Sequence, residues 1–310
     1  MVLAPLRVVA GTKPGPWQKL VSDYEAAAQA RGLSHRTIEH YSDSLRRVLL
    51  PFCEREGVDD PVQLSKRHLE RLSVELQAKG LARPSIRSYL AAVNHFLRWC
   101  AAEGELPAVV TAPQLRQERI LIDVLSRQEI DLLEAAADSE RDKLIVRVLA
   151  DTGMRLGELR GLRVDDLISR GRERFLRVRG KGSRERLVPV QPALYVRLER
   201  YAHRTRPQDA SSSALFLTLT RAHAGEYQAL AEPSIQHLLR YLGRRAGLDK
   251  RIYPHLLRHS FATQMLRRGM NPIQLKDILG HSSLAMLDRV YSHLAPTDAY
   301  QALIEALREE

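Results

Sequence analysis

Four stretches between residues 15 and 104 repeat apolar residues at helical spacing, and this pattern constrains the fold most. In each stretch the apolar positions fall at i, i+3, i+4 and i+7, which places them on one face of a helix. The four apolar faces begin at Trp17, Ile38, Leu69 and Ile86. Amphipathic helices in such close succession are predicted to share one core, so we expect an all-helical domain over 15–104.

The chain changes character after this helical block. Residues 105–124 have weak periodicity and two prolines, which is typical of an interdomain linker. Ser126 followed by Glu129 is a capping-box pattern, which predicts a new helix and the start of a second domain over 125–310. The first residues, 1–14, lack periodicity and are predicted to form a flexible arm.

One segment of the second domain carries a clear β pattern. Apolar residues lie on both sides of Gly180-Lys181-Gly182, and the two glycines allow a tight turn. This pattern predicts a β-hairpin with Lys181 at its tip, whereas the other regular elements predicted in the domain are helices. The expected fold class is therefore mainly α with a small β-hairpin or sheet, arranged as a helical N-terminal domain and a mixed α/β domain.

The charge balance favours a polyanionic partner. The 310-residue chain has 48 Lys and Arg against 37 Asp and Glu, and the resulting formal charge of +11 is spread along the sequence. In the helical domain, cations lie at predicted helix starts and in loops, where backbone N–H groups also favour phosphate. Each of them alone is more simply a solvated side chain, but as a group they predict contact with a DNA backbone. The residues assigned to this contact are Arg36, Lys66, Arg67, Arg83 and Arg87.

The cysteines and the hydropathy pattern indicate the cellular compartment. Cys53 and Cys100 lie in apolar helical patterns without a CxxC neighbour, so we expect small core residues in a reducing compartment. No apolar run approaches the ~18 residues of a membrane span. The sequence has no carboxylate cluster of the kind that holds magnesium. No metal and no other cofactor is predicted. We expect a cytoplasmic protein.

The densest group of reactive side chains lies near the C-terminus. His255, Arg258 and His259 follow the spacing i, i+3, i+4 and share one face of a predicted helix. His281 follows on a Leu-Gly-His-Ser turn, and Tyr291 comes ten residues later. An arginine and several histidines that converge form an anion site, and a phenol beside a bound phosphate can act as a nucleophile.

Arg155 and Glu158 form a second candidate site. They lie three residues apart at the start of a predicted short helix, directly after a Thr152-Gly153 turn. Such a pair is often only a surface ion pair that contributes little to stability. A helix N-terminus attracts anions, however, and this favours a phosphate role for Arg155. A lysine on a hairpin tip, such as Lys181, is weak evidence when taken alone.

Four motifs, in their order along the chain, resemble those of tyrosine recombinases of the phage-integrase and Xer type. They read TGMRLGEL, RGKGSRERLVP, HLLRHSFAT and LGHSSL, with a tyrosine ten residues after the last histidine. Each motif alone is weak, but the complete order is highly specific and covers nearly the whole chain. The resemblance implies a SAM-like core-binding domain for the helical block. It also implies a recombinase catalytic domain over 125–310 that ends in a docking helix.

The resemblance further implies a role for each residue that matches a family motif. Two arginines would bind the non-bridging phosphate oxygens, the hairpin lysine would protonate the leaving 5′ oxygen, and the first histidine would accept the phenol proton. Glu158 matches a supporting position that is commonly acidic, and His281 would hydrogen-bond the phosphate or the attacking oxygen. His259 matches no motif position and is assigned to packing or support, the commoner role of a helix histidine. The implied catalytic set is Arg155, Lys181, His255, Arg258, His281 and Tyr291.

The spacing of the nucleophile departs from the family pattern by one residue. Family members place the tyrosine nine residues after the later histidine, where this chain has Val290. Tyr291 follows directly, within a Tyr-Ser-His-Leu sequence that fits the family's surroundings of the nucleophile. Tyr300 belongs to a separate predicted helix, so Tyr291 is retained as the nucleophile.

An enzyme of this kind cuts and rejoins DNA at a specific site through a 3′-phosphotyrosine, without metal or ATP. The implied process is integration, excision or transposition of a mobile element, or dimer resolution. The implied partners are a double-stranded DNA recombination site and further copies of the chain. These copies would assemble as a tetramer through the C-terminal helix, and an accessory protein is a further possible partner. A location at the nucleoid follows from this function.

Three other functions remain open from the sequence. A DNA-binding regulator without catalysis explains the charge and the helices, but neither the hairpin lysine between two arginine motifs nor the tyrosine. A type IB topoisomerase shares the mechanism, although a separate helical domain and a docking helix favour a recombinase. A metal hydrolase could use His255 and His259, but it would need Glu where the chain has Leu256.

Overall fold

The computed structural model describes residues 15–116, 123–180, 185–221 and 225–280. The chain divides into two compact units, Met1–Glu118 and Arg119–Glu310. Both are mainly helical and the second contains a small sheet, which confirms the predicted fold class. The predicted arm over 1–14 and the predicted docking helix lie outside the described residues. Within the described part, no helix is long and apolar enough to cross a membrane.

The first unit is a bundle of helices around an aromatic-rich core. Its helices are α1 (Pro16–Ala30), α2 (His35–Ser44), α3 (Leu50–Glu56), α4 (Lys66–Ala78) and α5 (Arg83–Ala102). Tyr24, Phe52 and Phe96 are fully buried, as their helical spacing predicts. Ser34 and Ser65 cap α2 and α4, because their side chains accept hydrogen bonds from backbone N–H groups of the first turn.

A widened turn interrupts the second predicted helix. The sequence predicts that Pro51 kinks or ends this helix, but the structure has a π-helical turn at Leu45–Leu49 and then continues as α3 to Glu56. Pro51 has no N–H to donate to the preceding turn. The wider turn, closed by a bond from the Leu50 N–H to the Leu45 carbonyl, accommodates this loss without ending the helix.

The first part of the predicted linker packs on the first unit. Leu106 and Ala112 are buried in its core. The side chain of Asn94 accepts a hydrogen bond from the Ala112 N–H at 2.7 Å and donates one to the Ala112 carbonyl at 3.1 Å. Asn94 thereby satisfies both backbone groups of a buried residue, and this holds residues 105–116 against α5.

The second unit combines helices with a three-stranded antiparallel sheet. Its helices are α6 (Arg127–Ala135), α7 (Glu140–Thr152), α8 (Leu156–Arg160), α9 (Pro192–Arg200), α10 (Glu232–Arg245), α11 (Pro254–Arg267) and α12 (Pro272–Leu279). The strands β1 (Leu167–Arg170), β2 (Glu173–Arg179) and β3 (Glu185–Pro189) pair in that order. The strands β2 and β3 are the two arms of the predicted hairpin. The sequence does not predict β1, because four residues with a polar second half show no clear alternation.

The core of the second unit surrounds α7. Leu144, Ile145 and Leu149 are fully buried, and α6 and α11 pack against this helix. The predicted capping box is present, since the Ser126 hydroxyl accepts from the Glu129 N–H at 3.1 Å and the Glu129 carboxylate accepts from the Ser126 N–H at 2.7 Å. A smaller apolar cluster joins α11 to α12, which fixes these two helices against each other.

Candidate active site

The short helix α8 presents Arg155 at its N-terminus. Gly153, with a φ of 61°, ends α7 and makes the turn that precedes it. The carboxylate of Glu158 accepts a hydrogen bond from the Arg155 N–H at 2.8 Å and another from its Nη1 at 3.1 Å. Glu158 thus caps the helix and also orients the side chain of Arg155, so the pair is more than a surface ion pair.

Arg258, on α11, converges on the same backbone segment as Arg155. Its Nη1 donates to the Gly153 carbonyl at 2.6 Å and its Nη2 to the Leu279 carbonyl at 2.8 Å. Arg155 donates to the Gly280 carbonyl at 3.0 Å and more weakly to that of Leu279 at 3.4 Å. The last carbonyls of α12, at the negative end of the helix dipole, therefore gather both arginines.

The two guanidinium groups make this place attractive for an anion. Burial, and then the charge of Arg155, lower the pKa of Arg258 to about 9, which still leaves Arg258 protonated at neutral pH. A guanidinium has five N–H donors, and the backbone carbonyls engage only part of them. A phosphate oxygen bound between the two groups would accept charge-assisted hydrogen bonds and offset their mutual repulsion.

A third residue of the predicted set, His255, lies in the first turn of α11. This residue is exposed to solvent. Partial burial of the ring, together with the charges of Arg258 and Arg155, lowers the pKa of His255 below its ordinary value of 6.5. The ring is therefore neutral at pH 7 and able to accept a proton. His259, one helical turn further along, is half-buried.

Arg186 of β3 also belongs to this cluster, although the sequence pattern does not single it out. Its Nη1 and Nη2 each lie 2.9 Å from an oxygen of Glu158, and its Nε donates to the Ile278 carbonyl at 2.9 Å. Burial alone would raise the pKa of Glu158, but hydrogen bonds from Arg186 and from the Arg155 N–H lower it. The sequence contains one indication that Arg186 points into the protein. Arg186 lies two positions before the buried Val188, so the two side chains are on the same face of the strand.

Three residues of the predicted catalytic set, Lys181, His281 and Tyr291, lie outside the described residues. Two of them directly follow described parts of the chain. The paired strands β2 and β3 flank the segment that carries the lysine. Gly280, the cap of α12, immediately precedes the histidine.

The cations predicted to contact DNA are exposed in the first two turns of α2, α4 and α5. A hydrogen bond of 2.9 Å between His40 Nε2 and Ser88 Oγ joins α2 to α5. Arg36 and Arg87 therefore lie on neighbouring helices of the first unit. This arrangement suits contact with one stretch of DNA backbone.

The two cations of α4 have a different environment. The amine of Lys66 lies 3.9 Å from the Glu70 carboxylate. Arg67 lines a shallow cleft with Arg71 and three glutamates, and two of these glutamates are paired with other cations. A neighbouring carboxylate repels phosphate, so Lys66 is a less favourable phosphate contact than Arg36 and Arg87.

Neither cysteine offers an alternative nucleophile. Cys53 and Cys100 are buried, and burial raises the pKa of each thiol to about 12. A protonated, buried thiol does not attack phosphorus. Across the described ranges, no group of three or more His, Cys, Asp or Glu side chains is arranged to hold a metal ion.

Two family models match this chain. The phage integrase family matches residues 123–298, and the SAM-like N-terminal domain of phage integrases matches residues 22–104. Among curated proteins, the chain is 33% identical over 284 residues to the tyrosine recombinase XerD of Corynebacterium glutamicum. That match covers 86% of this chain and 90% of the relative.

Solved structures with a similar fold include recombinases bound to DNA. One is a XerH site-specific recombinase in a post-cleavage complex with a palindromic difH substrate. It is 21% identical, with a TM-score of 0.68, over 94% of this chain and 85% of that chain. Another is a lambda integrase tetramer bound to a Holliday junction, 17% identical with a TM-score of 0.66, over 88% of this chain and 76% of that chain. At these identities the likeness concerns the fold.

Proposed function

This chain belongs to the phage integrase family, and from that premise we propose that it is a site-specific tyrosine recombinase that cuts and rejoins double-stranded DNA. Residues 15–104 form its DNA-binding domain and residues 125–310 its catalytic domain. Integration, excision, transposition and dimer resolution all use this chemistry.

The convergence of Arg155 and Arg258 on the end of α12 carries the proposal. Attack on a phosphodiester builds negative charge on the non-bridging oxygens of the phosphate. Two planar guanidinium groups, held in place before the substrate arrives, stabilise that charge with little reorganisation. A DNA-binding regulator has no need of a buried and a half-buried arginine beside a neutral histidine.

The covalent step is an exchange of one phosphate ester for another. The oxygen of Tyr291 attacks the phosphorus and displaces the 5′ oxygen of the DNA, which leaves a 3′-phosphotyrosine and a free 5′-OH. The phenol, with an ordinary pKa of ~10, gives its proton to the neutral ring of His255. Lys181 protonates the leaving 5′ oxygen, and His281 donates a hydrogen bond to the phosphate. A 5′-OH from the partner strand reverses the step, and no ATP is required because the ester bond is conserved.

Strand exchange needs two DNA sites within one complex, and we assign this to a tetramer linked by the C-terminal helix. The lambda integrase tetramer on a Holliday junction supports this assembly by analogy of fold. In the first unit, Arg36, Arg67, Arg83 and Arg87 bind the DNA backbone, with a smaller contribution from Lys66. An accessory protein can select the reaction direction, and the enzyme works at the nucleoid in the cytoplasm.

Trapping of the covalent intermediate tests the proposal. The protein is incubated in EDTA with fragments of the genome that encodes it, and the DNA that stays bound after denaturation is sequenced to define the site. A duplex with this site and a nick beside the cleaved phosphate then serves as a suicide substrate, because the released short strand diffuses away.

We expect an adduct with the wild type and none with Tyr291→Phe, although the variant still binds the duplex. Binding without any adduct in the wild type would instead identify a DNA-binding regulator. Relaxation of supercoiled plasmids that lack the site, without strand exchange, would identify a topoisomerase.

A further inference from the structure

The proposed chemistry leaves Arg186 without a role, yet its side chain is only 17% exposed and each of its nitrogens faces an acceptor. Nη1 and Nη2 donate to the two carboxylate oxygens of Glu158, and Nε donates to the Ile278 carbonyl, all at 2.9 Å. The three bonds connect β3 to α8 and to α12. Such a fork geometry is specific to arginine.

Through Glu158, Arg186 controls the availability of Arg155. The Glu158 side chain is 5% exposed, so water has little access to its charge. While Arg186 satisfies both carboxylate oxygens, Arg155 needs to give Glu158 only one side-chain hydrogen bond. Without Arg186, the buried carboxylate would draw the guanidinium of Arg155 toward itself and away from a phosphate.

Through Ile278, Arg186 holds the end of α12. The next two carbonyls, those of Leu279 and Gly280, are bound by Arg258 and Arg155. Gly280 has a φ of 65°, and a Cβ added there would lie 2.9 Å from Cζ of Arg186. The positive φ and the close approach of the guanidinium together favour glycine at the position from which the chain continues to the predicted later histidine.

We propose that Arg186 is a positioning residue that keeps Arg155 and the end of α12 in the geometry needed for DNA cleavage, an inference that rests on the proposed recombinase function. It acts on the phosphate through Arg155 and does not touch the DNA. Lysine cannot replace it, because a single amine cannot bind both carboxylate oxygens and a carbonyl with the same geometry.

The test compares Arg186→Met and Arg186→Lys with the wild type on two suicide duplexes. One duplex has a normal scissile phosphate, and the other has a methylphosphonate, in which a methyl group replaces one non-bridging oxygen and removes the charge. Arg147→Met is the matched control. Arg147 is 12% exposed and is paired with Asp131 and Glu134, which both belong to α6.

On the normal phosphate, both Arg186 variants should form adduct about 100-fold more slowly than the wild type at saturating protein, with unchanged DNA affinity. On the methylphosphonate this difference should largely disappear, because a neutral phosphonate no longer depends on well-placed arginines. Arg147→Met should match the wild type on both duplexes. Equal slowing of the Arg186 variants on both duplexes, or full activity of Arg186→Lys, would overturn the proposal.

Hydrogen exchange provides a readout that does not depend on cleavage. Amides of residues 273–280 should exchange faster in Arg186→Met than in the wild type or in Arg147→Met, because the end of α12 loses an anchor. Unchanged exchange would refute the anchoring role. A wild type that forms no adduct would count against the recombinase function, whereas the exchange result still decides whether Arg186 holds this segment.

Discussion

The pH at which His255 can accept a proton is set by its neighbours. Partial burial and the charges of Arg258 and Arg155 lower its pKa below 6.5, so the ring stays neutral to a lower pH than an isolated histidine. Because only the neutral ring accepts the phenol proton, adduct formation should slow as the pH falls through this lowered pKa. With DNA below saturation, a profile from about pH 5 to about pH 8 should show an acidic limb with an apparent pKa below the ordinary value.

Substitution distinguishes His255 from other groups that titrate in this range. His255→Gln should slow adduct formation and remove the acidic limb, because glutamine does not titrate. His237→Gln alters an exposed histidine on α10 and should leave the profile unchanged. An acidic limb with an apparent pKa above 6.5, or an acidic limb that persists in His255→Gln, would contradict the assignment of His255 as the base.

The sequence identifies Arg155 and Arg258 because each belongs to a local pattern, a helix start or a helix face. Their backbone partners could not be predicted, since the Leu279 carbonyl reaches Arg258 only when α11 and α12 pack together. The place of Arg186 in the cluster could not be predicted from the sequence for the same reason. Its partner Glu158 lies 28 residues away, and its strand has the pattern of an ordinary hairpin arm.

Among the turns, the one between α7 and α8 depends most clearly on glycine. A Cβ at Gly153 would lie 2.5 Å from Cδ1 of Phe261 and 2.8 Å from Cδ2 of Leu279, and the φ of 61° disfavours any other residue. Gly153→Ala therefore combines backbone strain with a clash in the cluster that joins α11 to α12. We expect the free energy of unfolding, measured by denaturant titration, to fall by about 3 kcal/mol.

Gly171→Ala is the matched control for this prediction. Gly171 has a φ of 55° and no atom within 4 Å of an added Cβ, so only the backbone strain applies. Its substitution should cost about 1 kcal/mol. Equal losses for the two variants would show that the space around Gly153 accommodates a methyl group, contrary to the packing described above.

Most of the helices, and their caps at Ser34, Ser65 and Ser126, follow from rules that act within a few residues. The elements that could not be predicted depend on distant partners. The four residues of β1 show no alternation of polar and apolar side chains. They form a strand because they pair with the edge of β2. Likewise, the burial of Leu106 and Ala112 depends on the surface that α5 provides, which the composition of that segment does not reveal.

For the whole molecule, a formal charge of +11 predicts DNA binding that weakens steeply with salt. If Arg36 and Arg87 each contact a phosphate, Arg36→Gln and Arg87→Gln should each reduce the slope of log K against log salt by about 0.9. Fluorescence anisotropy with a duplex that carries the recovered site measures this slope.

Arg55→Gln serves as the control for the salt series. Arg55 belongs to the same unit but is paired with Glu75 at 2.6 Å, so its loss should leave the slope unchanged. A slope that does not respond to Arg36→Gln or Arg87→Gln would place the DNA backbone on a different face of the first unit.

The most direct test of the central claim is to identify the residue that carries the DNA. The adduct formed on the suicide duplex in EDTA is digested with nuclease and protease, and the modified peptide is sequenced by mass spectrometry. We expect a nucleotide joined through its 3′-phosphate to Tyr291, and a free 5′-OH on the released strand. Attachment to another residue, or a 5′-phosphate on the released strand, would contradict the proposed mechanism.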